Sequence, residues 1–381
     1  FFPGVLGTVN YRFRGKTLPA PNTTPESLEF QRILRQMVDD GVTHCISEVS
    51  SHALDLGRVD DCDFDIAVFT NLSQDHLDYH LTMERYYAAK RRFFCELLPK
   101  SHKRNPYGVI VNGDDPWGRK LIEECGDGGL TFGLDSNADV RAEQFILTLE
   151  GIEAQIRIPG QTLHVSSPLI GRFNLYNILA AAAAAFATGI PLSAIKQGIA
   201  NMKGVPGRME KVSRPGEPYV FVDYAHTDDA LRKAIENLLG FGNSRIITVF
   251  GCGGDRDRGK RPLMGFVAAT LSDVVIITSD NPRSEEPLSI IGQIEAGVRR
   301  KDIRKVALPE LEKTASGKIY CVIPDRRVAI ETAVMLAQPE DIVLIAGKGH
   351  EDYQIIGKDR LFFDDRIAAR ESLTKRSEAR S

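Results

Sequence analysis

The sequence of 381 residues lacks several features that would assign it to a class at once. It has no apolar run near the ~18 residues of a membrane-spanning helix, and no signal peptide is visible. Its net charge of −3 argues against a nucleic-acid tail or a basic membrane patch. No C-x-x-C pair occurs, so we expect reduced thiols in a cytoplasmic protein and neither a disulfide framework nor a zinc site. The six cysteines are Cys45, Cys62, Cys95, Cys125, Cys252 and Cys321.

Two nucleotide-binding motifs are also missing. No G-x-G-x-x-G is present, which argues against a dinucleotide-binding oxidoreductase. No G-x-x-x-x-G-K-S/T is present either, so the chain has no phosphate loop of the Walker type. Because the sequence starts at Phe1 without a methionine and inside a motif, we expect it to be a fragment of a longer protein.

The most informative stretch runs from Glu48 to Lys90. Glu48 closes a short apolar run that starts at His44, and a second run, Phe64 to Leu72, comes shortly before His76. We predict buried parallel strands whose carboxyl ends converge on one crevice. Carboxylates and an imidazole in such a crevice suit Mg²⁺ that holds a polyphosphate. Taken singly, the glutamate could be a solvated or capping residue, and the histidine a hydrogen-bonded structural one.

The rest of the first half predicts a mixed α/β domain. Thr23 and Glu26 fit a capping box at the start of a helix, and capping is the simplest role for Thr23 and Thr24. Asp115 is a candidate N-cap, and residues 130–170 have the weak alternation of β-strands. A Gly- and Pro-rich segment at 204–210 predicts a boundary between domains at 1–205 and 206–381.

In the second half, strands and helices alternate. Val/Ile runs separated by amphipathic helices indicate a doubly wound, Rossmann-like parallel sheet with both faces covered. Predicted strands are Tyr219–Asp223, Arg245–Phe250, Asp273–Thr278 and Asp341–Ala346. Predicted helices lie near 227–239, 260–271, 287–300 and 325–337. Each strand ends in a polar signature (DYAH, GCGGDR, DNPR and GKGHE), at the edge where such sheets bind ligands.

These motifs together resemble the Mur ligases. The match includes EVSSHAL, FTNLSQDHLDYH, YYAAK and GRME as well as the four signatures, and it spans essentially the whole chain. The resemblance implies a partial ATPase-like central domain followed by a Rossmann-like domain. It implies that Glu48 and His76 bind Mg²⁺ and that Lys90 is carbamylated. A carbamate would turn a cation into an anionic oxygen ligand, which suits magnesium.

The resemblance also implies three groups of binding residues. Those for UDP-MurNAc-L-Ala-D-Glu are Thr23, Thr24, Ser50 and Arg58. Those for ATP are Asn174, Asn177, Arg208, Asp223 and His226. Those for meso-diaminopimelate are Arg256, Asp280, Asn281, Pro282, Arg283, Gly347 and Glu351. Two positions depart from the family pattern, with Leu56 where many relatives have glutamine and Asp228 where proline is usual.

The implied chemistry is amide-bond formation in peptidoglycan precursor synthesis. ATP would phosphorylate the glutamate carboxylate of the muramyl dipeptide, and the amine of diaminopimelate would attack the acyl phosphate. Selection of diaminopimelate over lysine calls for a cation facing the extra carboxylate, and Arg283 is our candidate. Its alternative role is a surface pair with Glu285 or Glu286. We expect a monomer.

Other interpretations remain open from the sequence. One is a lysine-adding or folylpolyglutamate-type ligase, although DNPR followed by GKGHE argues against the latter. Another is a nucleotide-binding protein without ligase activity. A third is an inactive fragment that only binds the amino acid, because the family's phosphate loop would lie before Phe1. We therefore expect no measurable ligase activity from this chain alone.

Overall fold

The computed structural model describes residues 1–103, 105–125, 129–135, 137–242, 244–301, 303–311 and 317–380. The chain forms two compact units. The first comprises 1–146, 151–168 and 172–202, and the second comprises 147–150, 169–171 and 203–381. Among the described helices, none combines the length and apolarity needed to cross a membrane.

Two sheets build the first unit. A four-stranded sheet has the order β3-β2-β1-β4, with β1 Pro3–Leu6, β2 Tyr11–Phe13, β3 Lys16–Leu18 and β4 His44–Ser47. A six-stranded sheet has the order β10-β9-β8-β7-β6-β5, with β5 Ala67–Phe69, β6 Val109–Asn112, β7 Gly129–Gly133, β8 Val140–Thr148, β9 Gly151–Ile158 and β10 Gln161–Ser167. The last four strands confirm the β-rich character predicted for residues 130–170.

The helices of the first unit cover these sheets. They are α1 Ser27–Asp39, α2 Ser51–Asp55, α3 Leu77–His80, α4 Met83–Arg92, α5 Leu98–Lys100, α6 Pro116–Cys125, α7 Arg172–Ala187 and α8 Leu192–Asn201, with a π-helix at Phe93–Leu97 between α4 and α5. Helix α1 buries Phe30, Ile33 and Met37, which recur at helical spacing. Asp115 accepts hydrogen bonds from the backbone N–H groups of residues 117 and 118, which confirms it as the N-cap of α6.

Two predictions for the first unit were wrong. The strand before Glu48 and the strand before His76 are not in one sheet, because β4 pairs with β1 whereas β5 pairs with β6. As an edge strand, β4 also leaves Ile46 exposed instead of buried. The capping box is absent as well, since Glu26 is the N-cap of α1 and no side chain caps that end.

The expectation of six free thiols was also wrong. Cys95, on the π-helix, is bonded to Cys125 at the end of α6, with 5.5 Å between their Cα atoms. That separation is typical of disulfides. The two residues are 30 positions apart, so only the packing of the two helices brings them together. The remaining cysteines are free.

The second unit has the predicted doubly wound sheet. Its strand order is β11-β12-β17-β13-β14-β16-β15, with β11 Glu210–Lys211, β12 Tyr219–Asp223, β13 Ile246–Phe250, β14 Val274–Ile277, β15 Arg304–Lys305, β16 Ile319–Val322 and β17 Ile342–Ala346. All neighbouring pairs are parallel except β11 with β12. The helices are α9 Asp228–Leu239, α10 Lys260–Leu271, α11 Pro287–Val298, α12 Leu308–Leu311, α13 Arg326–Leu336 and α14 Asp365–Arg380.

Alternation along the strands produces two cores, one on each face of this sheet. Phe221 and Phe250 belong to one core, whereas their neighbours Val220 and Val249 belong to the other. The sequence analysis missed β16 and a two-stranded hairpin after β17, formed by β18 Tyr353–Ile356 and β19 Asp359–Phe362. The four polar signatures follow β12, β13, β14 and β17, so they gather at the carboxyl edge of one sheet.

Candidate active site

In the first unit, a network of hydroxyl groups holds Glu48. Thr8 donates to Glu48 Oε2 from its backbone N–H at 3.0 Å and from its hydroxyl at 2.9 Å. The same hydroxyl lies 2.9 Å from that of Thr23. Oε1 of Glu48 makes no hydrogen bond with the described residues. One carboxylate oxygen is therefore fixed by the protein, and the other is available to a ligand.

Thr24 joins the remaining predicted substrate residues to this network. Its hydroxyl donates to the Glu48 carbonyl at 2.9 Å and accepts from the Ser50 N–H at 3.0 Å. Arg58 donates to the Thr24 carbonyl at 3.1 Å and pairs with Glu26 at 2.6 Å. Thr23, Thr24, Ser50 and Arg58 are thus brought together beside Glu48. Neither Thr23 nor Thr24 caps α1, whereas the Ser50 side chain caps α2.

Lys90 and His76 both lie close to the ring of Tyr86. Lys90 Nζ is 5.4 Å from the centroid of Tyr86, and the His76 ring centroid is 5.8 Å from it. Burial lowers the pKa of Lys90, while the carboxylates of Glu48 and Asp75 act in the opposite direction. His76 itself has a left-handed backbone, with φ of 55°, and its N–H donates to Asp75 at 2.8 Å. These groups form one polar cluster.

Two further histidines stand beside this cluster, and the sequence analysis did not single them out. The His52 ring centroid is 5.0 Å from that of His76 and 5.4 Å from that of His80. His80 Nε2 bonds the Ser51 hydroxyl at 2.9 Å, with both residues buried. Burial lowers the pKa of both His52 and His80. The sequence signal was their position, since His52 lies four residues after Glu48 and His80 lies four residues after His76, within the same two motifs.

The predicted metal ligands are few but chemically suited to Mg²⁺. Over the described part of the chain, no three His, Cys, Asp or Glu side chains are grouped closely enough to hold an ion. The predicted set has only two such residues, Glu48 and His76, with a modified Lys90 as the third. Burial lowers the pKa of Lys90 and so increases the share of its neutral amine, which is the form that reacts with carbon dioxide. A carbamate, a carboxylate and an imidazole are suitable donors for Mg²⁺, so the chemistry of the set fits.

The predicted ATP residues are divided between the units. Asn174 and Asn177 lie on α7 in the first unit, joined by a hydrogen bond of 3.2 Å, and Asn174 is buried. Arg208, Asp223 and His226 lie in the second unit.

In the second unit Arg208 and His226 lie next to the ring of Tyr224, and Asp223 precedes that residue in the chain. The guanidinium of Arg208 lies 5.1 Å from the ring centroid of Tyr224, and the ring of His226 lies 4.6 Å from it. Asp223 accepts from the N–H groups of Met209 at 2.7 Å and of Ala225 at 2.8 Å. Burial raises the pKa of Asp223 against the effect of these two bonds. The structure therefore brings this part of the predicted set together, with Tyr224 as a shared aromatic contact.

Three of the residues predicted to bind the amino acid, Asp280, Asn281 and Glu351, form a polar network around the buried Lys348. Its Nζ lies 3.1 Å from Asn281 Oδ1, 3.4 Å from Glu351 Oε2 and 3.7 Å from Asp280 Oδ1. Asn281 also donates to Glu351 at 2.9 Å. Lys348 is fully buried, so the cation compensates two carboxylates away from water. No role was predicted for this lysine of the GKGHE signature. The available signal was its place between two glycines after a buried strand.

Arg283 lies two residues after Asn281, a member of this network. Its backbone is left-handed, with φ of 52°, and its Nη1 donates to the Gly254 carbonyl at 2.8 Å. The alternative pairing with Glu285 is not seen, because that carboxylate binds the buried Arg261 at 2.8 Å. Arg283 makes no ion pair with a carboxylate of the described residues.

Close packing of loops sets the geometry around Arg283. A Cβ on Gly254 would lie 1.8 Å from the Pro282 carbonyl, so only glycine allows this approach. Gly347, with φ of 118°, would place a Cβ 2.8 Å from Asp280 Oδ2.

Arg256 is exposed, and its Nη1 donates to the carbonyl of the preceding residue at 3.1 Å. It is the one exposed member of this predicted set.

Comparison with known protein families agrees with this arrangement. The family described as Mur ligase middle domain matches residues 3–185, and the family described as Mur ligase, glutamate ligase domain matches residues 207–349. A curated relative from Geobacter metallireducens, UDP-N-acetylmuramoyl-L-alanyl-D-glutamate–2,6-diaminopimelate ligase, is 48% identical over 362 residues. The match covers 95% of this chain and 71% of the relative.

Solved structures give the same result. The structure of a UDP-N-acetylmuramoyl-L-alanyl-D-glutamate–2,6-diaminopimelate ligase matches with a TM-score of 0.69 and 36% identity, over 99% of this chain and 73% of that chain. A folylpolyglutamate synthase from Mycobacterium tuberculosis matches with a TM-score of 0.63 and 17% identity, over 91% and 82% of the two chains. The second likeness concerns the fold alone.

Proposed function

The chain belongs to the Mur ligase family, and on that basis we propose that it adds meso-diaminopimelate to UDP-MurNAc-L-Ala-D-Glu in an ATP-dependent reaction. Relatives that carry this activity in their names, at 48% identity over 95% of the chain, support the choice of substrates. The product would be a peptidoglycan precursor that contains a new amide bond.

The reaction we propose has two steps. The γ-phosphoryl group of ATP passes to the D-glutamate side-chain carboxylate, which gives an acyl phosphate and ADP. The neutral amine of diaminopimelate then attacks the acyl carbon, and the tetrahedral intermediate expels phosphate to leave the amide. Positioned cationic groups favour the first step because negative charge accumulates around the transferring phosphoryl group.

For the first step we propose a magnesium site at Glu48, His76 and a carbamylated Lys90. Mg²⁺ bound there would neutralise charge on the polyphosphate. Thr8 orients Glu48 by holding one carboxylate oxygen, and burial keeps the Lys90 amine prone to carbamylation.

Further residues bind the two phosphorylated substrates in this proposal. The nucleotide-linked peptide would contact Thr23, Thr24, Ser50 and Arg58, whose mutual hydrogen bonds place them next to Glu48. ATP would contact Asn174, Asn177, Arg208, Asp223 and His226.

One observation carries the choice of diaminopimelate. Arg283 makes no ion pair with a carboxylate among the described residues, although it lies at the ligand-binding edge of the sheet. Diaminopimelate differs from lysine by one carboxylate at the far end of its side chain, and the fork of an arginine pairs well with such a group. Glu351, held by Asn281 and Lys348, would face the adjacent amino group. Asp280, Pro282, Gly347 and Arg256 would complete the site.

The test is an Arg283→Ala variant of the full-length enzyme. We expect diaminopimelate use, measured as kcat/KM from phosphate release, to fall by about 2–5 kcal/mol in transition-state free energy, as when a partner is removed from a buried charge pair. The already poor use of lysine should stay almost unchanged. Arg300→Ala, which removes an exposed arginine from the same unit, is the matched control.

Two results would contradict this assignment. If kcat/KM fell by the same factor for both amino acids, Arg283 would not bind the second carboxylate. If the unmodified enzyme preferred lysine, the chain would be a lysine-adding ligase. Glutamate-extending activity on folates would instead favour the folylpolyglutamate type, for which the likeness of fold is the available argument.

A further inference from the structure

The hairpin formed by β18 and β19 contacts almost every residue of the loop from Asp280 to Arg283. Gln354 Nε2 donates to the Asp280 carbonyl at 2.6 Å, and the Ile355 N–H donates to Asn281 Oδ1 at 3.0 Å. At the last residue of the loop, the Arg283 N–H donates to the Ile355 carbonyl at 3.1 Å. The Arg283 carbonyl accepts from the N–H of Gly357 at 2.8 Å. Four hydrogen bonds thus join a short hairpin to one short loop.

Two of these bonds hold Arg283, the residue of the loop with a left-handed backbone. Arg283 has φ of 52°, a left-handed conformation that is unfavourable for a residue other than glycine. The hairpin bonds both the N–H and the carbonyl of this residue, so it fixes the two peptide units that determine where the side chain points. Without these bonds, the backbone would be free to return to a right-handed or extended conformation.

The hairpin contributes little to packing. All four residues of β19 are exposed, and Phe362, Leu361 and Ile356 are 71%, 51% and 45% exposed. No member of the hairpin belongs to either core of the second unit. Its contacts with the loop are therefore more than a by-product of core formation.

We propose that this hairpin is a specificity element, and that Gln354 is a positioning residue which holds the Asp280–Arg283 loop so that Arg283 receives the second carboxylate of the amino-acid substrate. The inference rests on the proposed function, since it takes diaminopimelate as that substrate. In this proposal Gln354 acts through the Asp280 carbonyl, to which its side-chain amide donates.

Gln354→Glu is the sharpest variant because it keeps the shape of the side chain. It replaces the amide donor with a carboxylate oxygen that faces the Asp280 carbonyl, so attraction becomes repulsion. In the full-length enzyme we expect the KM for diaminopimelate to rise about 5-fold or more, the scale of one lost hydrogen bond plus an unfavourable contact. The KM values for ATP and for the nucleotide-linked dipeptide should stay the same. Gln354→Ala should change the same constant in the same direction, by a smaller factor.

Selectivity is the second measurement. The ratio of kcat/KM for diaminopimelate to that for lysine should fall by the same factor as the KM rises, because lysine lacks the carboxylate that Arg283 would receive. Lys358→Gln is the matched control. It makes the same change in charge at an exposed position of the same hairpin, where the described contacts include no hydrogen bond or ion pair.

The outcomes separate the two proposals. If the unmodified enzyme uses diaminopimelate and Gln354→Glu has unchanged KM and selectivity, the hairpin inference is overturned and the proposed function stands. If all three KM values rise together with a lower melting temperature, Gln354 has a merely structural role and the inference is again overturned. If the unmodified enzyme does not use diaminopimelate, the proposed function fails, and the hairpin inference fails with it.

Discussion

The polar residues around Glu48 and those around Lys348 differ in how the protein holds them. In the first unit, Glu48, His76 and Lys90 come from three separate segments, and the side chain of His76 is 44% exposed. In the second unit, Lys348, Asn281 and Glu351 are joined directly by hydrogen bonds and ion pairs. Groups of the first kind would be able to adjust to the metal ion and the phosphoryl group that we propose for this site. A bonded network of the second kind presents one fixed geometry, which suits discrimination between similar amino acids.

Replacing Lys90 would test the first half of this comparison and should have the largest effect. In the full-length enzyme, Lys90→Ala should slow phosphate release by at least about 10²–10³-fold, because it removes a group from the charge-stabilising site. Added short-chain carboxylates should restore part of the rate by replacing the carbamate. Lys196→Ala removes an exposed lysine from the same unit and should have no effect. Full activity of Lys90→Ala without any additive would refute the carbamate role.

Replacing Lys348 would test the second half of the comparison. Lys348→Met removes the buried cation and leaves the carboxylates of Asp280 and Glu351 uncompensated. We expect the free energy of unfolding, measured with urea, to fall by about 3–5 kcal/mol. The control is Lys233→Met, an exposed lysine paired with Asp229 on its own helix, which should cost less than about 1 kcal/mol. Equal losses in the two variants would mean that the network is no more than surface charge.

The smallest expected effect concerns acid stability near the Arg283 loop. The hydrogen bonds of Arg261 lower the pKa of Glu285 from 4.5 to about 2. A carboxyl group with a lowered pKa stabilises the fold above pH 4.5, and that contribution is lost as the pH falls through 4.5 toward 2. The melting temperatures of the unmodified protein and of Glu285→Gln should therefore differ at pH 6 and converge near pH 2. A constant difference over this range would argue against the ion pair as its source.

The sequence predicted the second unit more fully than the first. Continuous apolar runs such as Ile246–Phe250 can only be buried on both faces of a sheet, and the polar residues after each run had to gather at one edge. In the first unit, local pattern did not show which strands pair. The runs before Glu48 and His76 looked alike, yet they belong to different sheets.

Other features depended on contacts that no local pattern encodes. Thr24 has the composition of a helix cap, but its hydroxyl is used between Glu48 and Ser50, 24 and 26 residues away. The hairpin at Tyr353–Phe362 is short and mostly exposed, so it lacked the apolar alternation by which strands are recognised. The bond between Cys95 and Cys125 depends on the packing of two helices.

The contacts that hold Arg283 have a consequence for how the site can evolve. Its side chain donates to the Gly254 carbonyl, and its own N–H and carbonyl bond the backbone of Ile355 and Gly357. Backbone groups persist when side chains are replaced, so a replacement of Ile355 leaves its bond to Arg283 in place. Gly254 and Gln354 are the exceptions, because a Cβ on Gly254 would lie 1.8 Å from the Pro282 carbonyl and Gln354 bonds the loop through its side chain. We therefore expect replacements that alter the position of the guanidinium to concentrate at these two residues and at Arg283 itself.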